Sequence, residues 1–335
     1  IDHQGTPMSV DIGFICFNRP NYPNFTALLN HLDVPTVMTD MAFAVSDPNG
    51  YEWSSDPLGL FAWKRNALDS KFRGMIGEII DFNNRARAAL ATDTVPDMSL
   101  GAWLDMHGYS QLFRDAYLLP MSAAIWSTPE KLMLDYPVIS FLQFFDNHRL
   151  MHMIRPMWRT VTGGSRTYVQ RLLSDLAGSL RPSANIQAVR PIGGGKVQVS
   201  ERGRQPETFD GVIFACHADE ALRLLSDADA LERSLLAPFR YVANETILHR
   251  DVSHMPKRRR LWTSWNYLGQ SNRDAALSVT YWMNSLQPLA TAENVFVTLN
   301  PSKPVAADKV VAKFHYSHPL FDKGAVNAQE QLWQI

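Results

Sequence analysis

The side chains that most often act as nucleophiles are few and scattered in this sequence. The two cysteines, Cys16 and Cys216, each lie within an apolar, strand-like run. Such surroundings favour buried thiols over a disulfide framework and are typical of a reducing compartment. Ser165 lies in Gly-Gly-Ser-Arg, which differs from the Gly-x-Ser-x-Gly turn of a hydrolase nucleophile. A hydrolase that uses Ser165 with a histidine therefore has little support in the sequence.

Two pairs of histidines have spacings that could suit a metal ion. His148 and His152 are four residues apart on a predicted helix, but the residues between them lack the glutamate of a zinc-protease helix. His315 and His318 are three residues apart beside Pro319, without a neighbouring cluster of cysteines or carboxylates. Both spacings favour structural or solvated histidines, and no metal site is expected.

Phosphate-binding motifs are absent from the sequence. It contains neither Gly-x-Gly-x-x-Gly nor a Walker loop. The basic run Lys257-Arg258-Arg259-Arg260 could meet phosphates or lipid head groups, but such a run at the start of a strand is more often a solvated turn. A glycine pair, Gly163-Gly164, opens a predicted helix, where backbone N–H groups can approach a ligand or a phosphate.

The elements that must position these residues change along the chain. A strand over 8–17, interrupted by Gly13, leads into a turn-rich loop and a short helix that Asn24 can cap. A hairpin with an Asn49-Gly50 turn follows over 41–53. Residues 57–150 show helical periodicity, with an apolar face over 72–80 and Ser99 as a cap.

Beyond residue 158 helices and strands are interleaved. A helix follows the glycine pair, and strands are predicted over 186–189, 196–200 and 211–216. Alternating segments at 241–248, 261–265, 277–282 and 295–299 indicate an antiparallel sheet.

Composition excludes several classes of protein. With 335 residues, 46% hydrophobic and 19% charged, the chain is neither disordered nor fibrous and has ample material for a core. A net charge of -1 gives no global field for nucleic acid, so no nucleic-acid partner is expected. No run approaches the roughly 20 apolar residues of a membrane span, and the polar start Ile1–Gln4 does not resemble a signal peptide. We expect a cytoplasmic protein, with peripheral membrane contact left open.

The sequences of five segments, taken together, are more specific than any single motif. Val10–Asn18, Tyr117–Ser127, Trp158–Ser165, Ala215–Asp219 and His315–Phe321 closely resemble bacterial FAD-dependent oxidoreductases known as flavin-containing amine oxidase-like, or predicted NAD/FAD-binding, proteins. The resemblance covers essentially the whole chain, in order. Such proteins begin with a dinucleotide-binding motif and end with a glycine-rich segment over the flavin, so we expect the natural protein to extend at both ends.

The resemblance implies an α/β fold of mixed α+β content. A Rossmann-like, glutathione-reductase-type FAD-binding domain, incomplete in this sequence, is interleaved with a substrate domain of helices plus an antiparallel sheet. The implied division gives portions of the FAD domain at 1–45, 156–230 and 301–335, a helical substrate subdomain at 46–155, and the sheet of the substrate domain at 231–300.

The resemblance also assigns residues to the cofactor, FAD. Asp11, Gly13 and Phe14 resemble the segment beside the isoalloxazine ring, and Gly163, Gly164 and Ser165 the glycine pair that begins a helix near it. Val189 resembles the strand residue whose backbone meets the adenine, and Ala215 and His217 belong to the strand end that faces the cofactor.

The implied activity is oxidation of a C–H bond by hydride transfer to the flavin, as amine oxidation or desaturation. The apolar middle region favours a lipid or isoprenoid substrate over a small amine, with Trp126, Trp158, Tyr281 and Trp282 as candidate walls. A neutral amine needs little acid–base help, whereas a desaturation needs a base, and the sequence identifies none. The alternative is a non-catalytic protein that binds lipids or apolar ligands and has lost its cofactor loop.

Overall fold

The computed structural model describes residues 1–3, 6–47, 50–56, 59–152, 156–176, 178–269 and 278–335. The chain divides into two compact units, one formed by Ile1–Asp175 and Ala243–His318 and the other by Leu176–Val242 and Pro319–Ile335. This mixed α/β organisation agrees with the fold class expected from the sequence. The finer division into five segments stays a prediction.

The strands are short in the first half of the chain and longer in the second. They are β1 (Asp2–His3), β2 (Thr6–Pro7), β3 (Cys16–Phe17), β4 (Thr36–Met38), β5 (Phe43–Ser46), β6 (Glu52–Ser54), β7 (Arg159–Val161), β8 (Ile186–Gly193), β9 (Lys196–Glu201), β10 (Glu207–Phe209), β11 (Arg240–His249), β12 (Trp265–Leu268), β13 (Val279–Trp282), β14 (Phe296–Leu299) and β15 (Val310–Leu320).

The helices concentrate between residues 64 and 147. They are α1 (Pro23–His31), α2 (Lys64–Leu68), α3 (Ser70–Ala91), α4 (Leu100–Met106), α5 (Gln111–Phe113), α6 (Leu119–Trp126), α7 (Glu130–Met133), α8 (Val138–Asn147), α9 (Arg166–Asp175), α10 (Ala218–Leu224), α11 (Ala230–Leu236), α12 (Met283–Leu286) and α13 (Lys323–Gln329). A π-helical turn, Arg114–Leu118, joins α5 to α6. Within the described ranges, no helix combines the length and apolar character that crossing a membrane requires.

A seven-stranded sheet forms the centre of the first unit, in the order β15-β11-β14-β13-β12-β5-β6. The antiparallel pairs β11–β14, β14–β13 and β13–β12 confirm the sheet predicted for the second half of the chain. Two details differ from the prediction. Strand β12 begins at Trp265 instead of residue 261, and it pairs in parallel with β5, which is more than 200 residues away in the chain.

The hairpin predicted over 41–53 is present as β5 and β6, with Ser46 opposite Glu52. Its proposed turn residue Asn49 lies outside the described residues, as does the start of the predicted segment 277–282. Beside the hairpin, β3, β7 and β4 form a small antiparallel sheet that packs against α1.

The helical region is largely as its periodicity predicts. Ser99 caps α4 by accepting the Ala102 N–H at 3.2 Å, and Asp69 caps α3 by accepting the Lys71 N–H at 2.8 Å. The apolar face of α3 is displaced from the predicted one, because Phe82 is buried while Ile80 is 58% exposed. Asn24 is not the cap of α1, which begins one residue earlier, at Pro23, whose ring favours the first helical turn.

The second unit contains the sheet β10-β9-β8 and the helices α10, α11 and α13. Gly193, Gly194 and Gly195 all have positive φ and form the turn between β8 and β9. The predicted strand 211–216 is wrong: these residues pair with no strand in the described part of the chain, and Ile213 is 93% exposed. A strand requires a hydrogen-bonded neighbour, which β-branched composition alone does not supply.

Candidate functional site

A cavity of about 800 Å³ lies within the first unit, a volume typical of sites for small molecules. Its walls come from one face of the seven-stranded sheet, from the helices α3, α6 and α8, and from the segment Ile12–Cys16. Among the described residues that line it there is no Asp, Glu, Lys or Arg. The described lining is therefore mainly apolar, and only its histidines, His148, His152 and His318, could carry a charge near neutral pH.

The sheet wall is a row of side chains on neighbouring strands. Phe43, Trp265, Tyr281 and Val297 follow one another across β5, β12, β13 and β14 and share one face. The Trp265 and Tyr281 rings meet edge to face, with centroids 4.9 Å apart. The Tyr281 hydroxyl has no hydrogen-bond partner among the described residues, and burial raises its pKa, so it is a neutral phenol.

The wall formed by α6 depends on an unusual helix start. Pro120 has no N–H with which to bond the Ala116 carbonyl four residues earlier, and the π-helical turn precedes it. This carbonyl accepts the indole N–H of Trp53 at 2.8 Å. Pro120 thus removes one competing donor for the carbonyl that holds Trp53, a residue that also lines the cavity.

The wall formed by α8 carries a histidine at the end of the helix. The His148 ring stacks on Phe144, with centroids 4.0 Å apart and planes at 21°. Its Nδ1 lies 3.0 Å from the Phe144 carbonyl oxygen, and Nε2 has no partner among the described residues. Burial lowers the pKa of His148. The other histidine of this pair, His152, instead binds Asp146 at 2.8 Å.

The third wall is the segment around Gly13. A Cβ added at Gly13 would meet no atom within 4 Å, so its backbone is open to approach. Phe14 is 48% exposed and packs against Tyr22 and Phe25, with ring centroids 5.8 and 5.4 Å away. A second, smaller cavity of about 480 Å³ shares Ile12, Gly13 and Phe14 with the large one.

Asp11 joins this segment to the glycine pair. Its carboxylate accepts the Ser165 N–H with both oxygens at 3.0 Å, the Ser165 hydroxyl at 3.2 Å, and an amide N–H of Gln287 at 2.9 Å. Burial raises the pKa of Asp11, and these hydrogen bonds oppose that rise. A Cβ at Gly164 would lie 3.1 Å from an Asp11 oxygen. The start of α9, which the sequence suggested for a ligand or a phosphate, thus holds this carboxylate.

The structure brings six predicted cofactor residues together in the first unit: Asp11, Gly13, Phe14, Gly163, Gly164 and Ser165. The other three lie in the second unit. Val189 is buried in β8, and its carbonyl accepts the Ser226 N–H at 3.2 Å. Ala215 is exposed, and His217 stacks on Tyr241, with ring centroids 4.2 Å apart.

Two of the four predicted substrate residues, Trp158 and Tyr281, line the cavity. The other two do not. Trp126 packs into an aromatic cluster with its centroid 4.7 Å from that of Phe144, and Trp282 packs edge to face against Trp262. The sequence did not single out Phe43, Trp53 or Trp265 for this cavity, because the face of a strand that is covered by helices depends on distant segments.

Of the remaining candidates, Cys16 is buried as expected, whereas Cys216 is exposed, so the expectation of a buried thiol is wrong there. Two arginines of the basic run have structural partners. Arg258 of the basic run forms an ion pair with the buried Glu52 and lies over the Trp63 ring. Arg259 lies over the Trp262 ring at 3.8 Å. Within the described residues, no three histidine, cysteine or acidic side chains are grouped as a metal ion would require.

No protein-family model matches this sequence, and no curated protein does. Solved structures are similar. A putrescine oxidase with redesigned cofactor binding has a TM-score of 0.65 at 12% identity, over 96% of this chain and 79% of its own. A fatty acid isomerase from P. acnes that produces CLA has 0.63 at 12%, over 98% and 80%. Cyclohexylamine oxidase from Brevibacterium oxydans IH-35A has 0.58 at 9%, over 95% and 79%. The chain therefore has the fold that these amine oxidases and this isomerase share.

Proposed function

We propose that this protein is an FAD-dependent oxidoreductase that oxidises a C–H bond of a neutral, apolar substrate, by amine oxidation or desaturation. The observation that carries the proposal is the mainly apolar cavity of about 800 Å³, with no Asp, Glu, Lys or Arg in its described lining, beside the open backbone of Gly13. The names of the similar structures support oxidation of amines and chemistry on a fatty acid chain. The lining of this cavity favours the apolar end of that range.

The argument about charge rests on desolvation. Moving an ammonium group from water into an apolar cavity costs several kcal/mol unless a carboxylate or hydrogen bonds compensate. The described lining offers no carboxylate, whereas aromatic and aliphatic side chains such as Phe43, Trp265 and Val297 suit hydrocarbon. A lipid or isoprenoid chain therefore fits better than a protonated diamine.

The residues at the Gly13 wall fit a flavin ring. Ile12, Gly13 and Phe14 would hold one side of the flat ring, because this backbone is open and its surroundings are apolar. Asp11 would keep the segment in place through Ser165 and Gln287. When bound, the flavin supplies a two-electron acceptor. Contacts of Val189, Ala215 and His217 with FAD remain predictions from the resemblance.

The chain's own residues would orient the substrate and exclude water. The aromatic row on the sheet would hold the hydrocarbon by burial, which contributes about 25 cal/mol per Å² of apolar surface. The neutral phenol of Tyr281 and the indole N–H of Trp265 would be the polar groups of that wall.

The test is the visible absorption spectrum of the protein, purified without added cofactor and again after soaking with FAD. We expect a flavin band that bleaches anaerobically with a long-chain neutral substrate and stays unchanged with putrescine at neutral pH. Bleaching by putrescine alone would contradict the proposed substrate class. If no flavin is retained even after soaking, while a fluorescent fatty acid still binds, the non-catalytic alternative replaces the proposal.

A further inference from the structure

We infer that His148 is the proton acceptor of this site and that the substrate loses its second hydrogen, as a proton, from a carbon or a hydroxyl group. This inference rests on the proposed function. It goes further by naming a group that amine oxidation does not need and desaturation or alcohol oxidation does.

The first step is the position of the proton on the ring. A carbonyl oxygen can only accept a hydrogen bond, so the contact of 3.0 Å with the Phe144 carbonyl places the hydrogen on Nδ1. In a neutral ring, Nε2 then carries a lone pair. Because Nε2 has no partner among the described residues and His148 lines the cavity, this lone pair is free to accept a proton.

The second step is the neutral state of the ring. Burial lowers the pKa of His148, although its bond to Phe144 acts in the opposite direction. The other titratable groups at this end of the cavity do not reverse that effect. Burial raises the pKa of Cys16 to about 12 and also raises that of Tyr22, so both are neutral, while Asp146 is engaged by His152. The imidazole is therefore a free base at neutral pH.

The third step is location. The edge of the Tyr22 ring faces His148, with centroids 6.4 Å apart, and the same Tyr22 ring contacts Phe14. The loop that carries Tyr22 is held in place by Asn21. This residue donates its backbone N–H to the Asn18 side chain at 3.0 Å and its side-chain amide N–H to the Asn147 carbonyl. His148 thus lies at the end of the cavity bounded by the segment proposed to hold the flavin ring.

The proposed reaction balances as follows. One C–H bond breaks and its hydrogen leaves with both electrons to the oxidised flavin, which is thereby reduced. A neighbouring C–H or O–H bond breaks, its proton goes to Nε2 of His148, and its electron pair forms the new C=C or C=O bond. The imidazolium returns its proton readily to solvent, because burial disfavours the charged ring.

The first experiment needs no activity. In the protein labelled with ¹⁵N-histidine, NMR reports which ring nitrogen carries the hydrogen, and His148→Asn identifies the signal. We expect the Nδ1–H form at pH 7 and a titration midpoint below the ordinary 6.5. An Nε2–H form, or an imidazolium at pH 7, would overturn the inference whether or not the protein binds flavin.

The second experiment measures anaerobic flavin reduction in the loaded protein by the neutral substrate. The amide of His148→Asn can replace the donor to the Phe144 carbonyl but supplies no base, so the rate should fall by roughly 10²- to 10⁴-fold. His107→Asn is the control: this ring is also half-buried with a lowered pKa, but it lies outside the cavity lining.

Flavin absorbance and melting temperature, which should be unchanged in both variants, exclude misfolding. A His148→Asn variant that keeps the wild-type rate defeats the assignment of His148 and leaves the proposed function standing. A wild type that is not reduced by any neutral substrate defeats the proposed function instead, and the NMR experiment still decides the tautomer.

Discussion

Gly164→Ala should destabilise the first unit by two separable effects. The first is backbone strain, because Gly164 has φ of +82°, where a side chain costs about 1–2 kcal/mol. The second is crowding, because the new Cβ would lie 3.1 Å from an Asp11 oxygen. Asp11 must then move away from the Ser165 N–H, and a weakened hydrogen bond to a charged group costs roughly 1.5–3 kcal/mol. The expected total is about 2.5–5 kcal/mol.

Gly108→Ala is the matched control. Gly108 belongs to the same unit and has a similar φ of +69°, but a Cβ there would meet nothing within 4 Å. This variant should show the backbone strain alone, about 1–2 kcal/mol. The difference between the two variants therefore measures the crowding of Asp11.

Urea unfolding followed by tryptophan fluorescence gives both free energies, provided that the slope with urea is unchanged. A double-mutant cycle isolates the contact: in an Asp11→Ala background, Gly164→Ala should cost no more than Gly108→Ala. Equal losses for Gly164→Ala and Gly108→Ala in the wild-type background would refute the reasoning, because the carboxylate would then give way without cost.

Three further predictions follow from the same structure. Gly164→Val should also abolish flavin retention, measured as absorbance after gel filtration, since the larger side chain displaces the Asp11 segment; a folded variant with full flavin content would exclude this. Trp53→Phe should cost about 1–3 kcal/mol by leaving the buried Ala116 carbonyl unpartnered, and adding Pro120→Ala, which restores a backbone N–H, should reduce that loss in urea unfolding. Burial, and after it the charge of His254, lowers the pKa of His249 to about 4. The free energy of unfolding should therefore be unaffected by His249 above pH 6.5 and fall by about 3 kcal/mol as pH drops from 6.5 to 4, because the unfolded state binds the proton first. A His249→Gln variant that keeps the full pH dependence would contradict this.

Local patterns were sufficient for much of the fold. Helical periodicity and a cap signal placed α4 after Ser99, and alternation placed β11, β13 and β14 in an antiparallel sheet. The patterns failed where the structure of a segment depends on a partner that is distant in sequence. The parallel pairing of β12 with β5 joins segments more than 200 residues apart, and 211–216 has strand-like composition without a paired strand.

Prediction of the candidate site from the sequence has the same limit. The resemblance selected Asp11 and Ser165, and the structure joins them by hydrogen bonds across 154 residues. The physical reason differs from the expected one, because the carboxylate of Asp11 occupies the helix start that was suggested for a ligand or a phosphate. His148 was dismissed on its spacing from His152, which bears on metal binding only. Its tautomer follows from the Phe144 carbonyl four residues earlier, and its neutral state from burial that only the packed chain reveals.

The absence of acidic side chains from the described lining is also what allows His148 to stay a neutral base. A carboxylate beside His148 would stabilise the imidazolium, raise its pKa and occupy the lone pair that the proposed reaction needs. The same carboxylate would be the partner of a cationic amine. A cavity that binds such an amine through a carboxylate beside His148 would therefore lose His148 as a base. The acidic residue nearest to His148 in sequence, Asp146, lies outside the described lining and is bound by His152. A cavity without acids therefore selects for neutral substrates and keeps a buried imidazole basic by one and the same means.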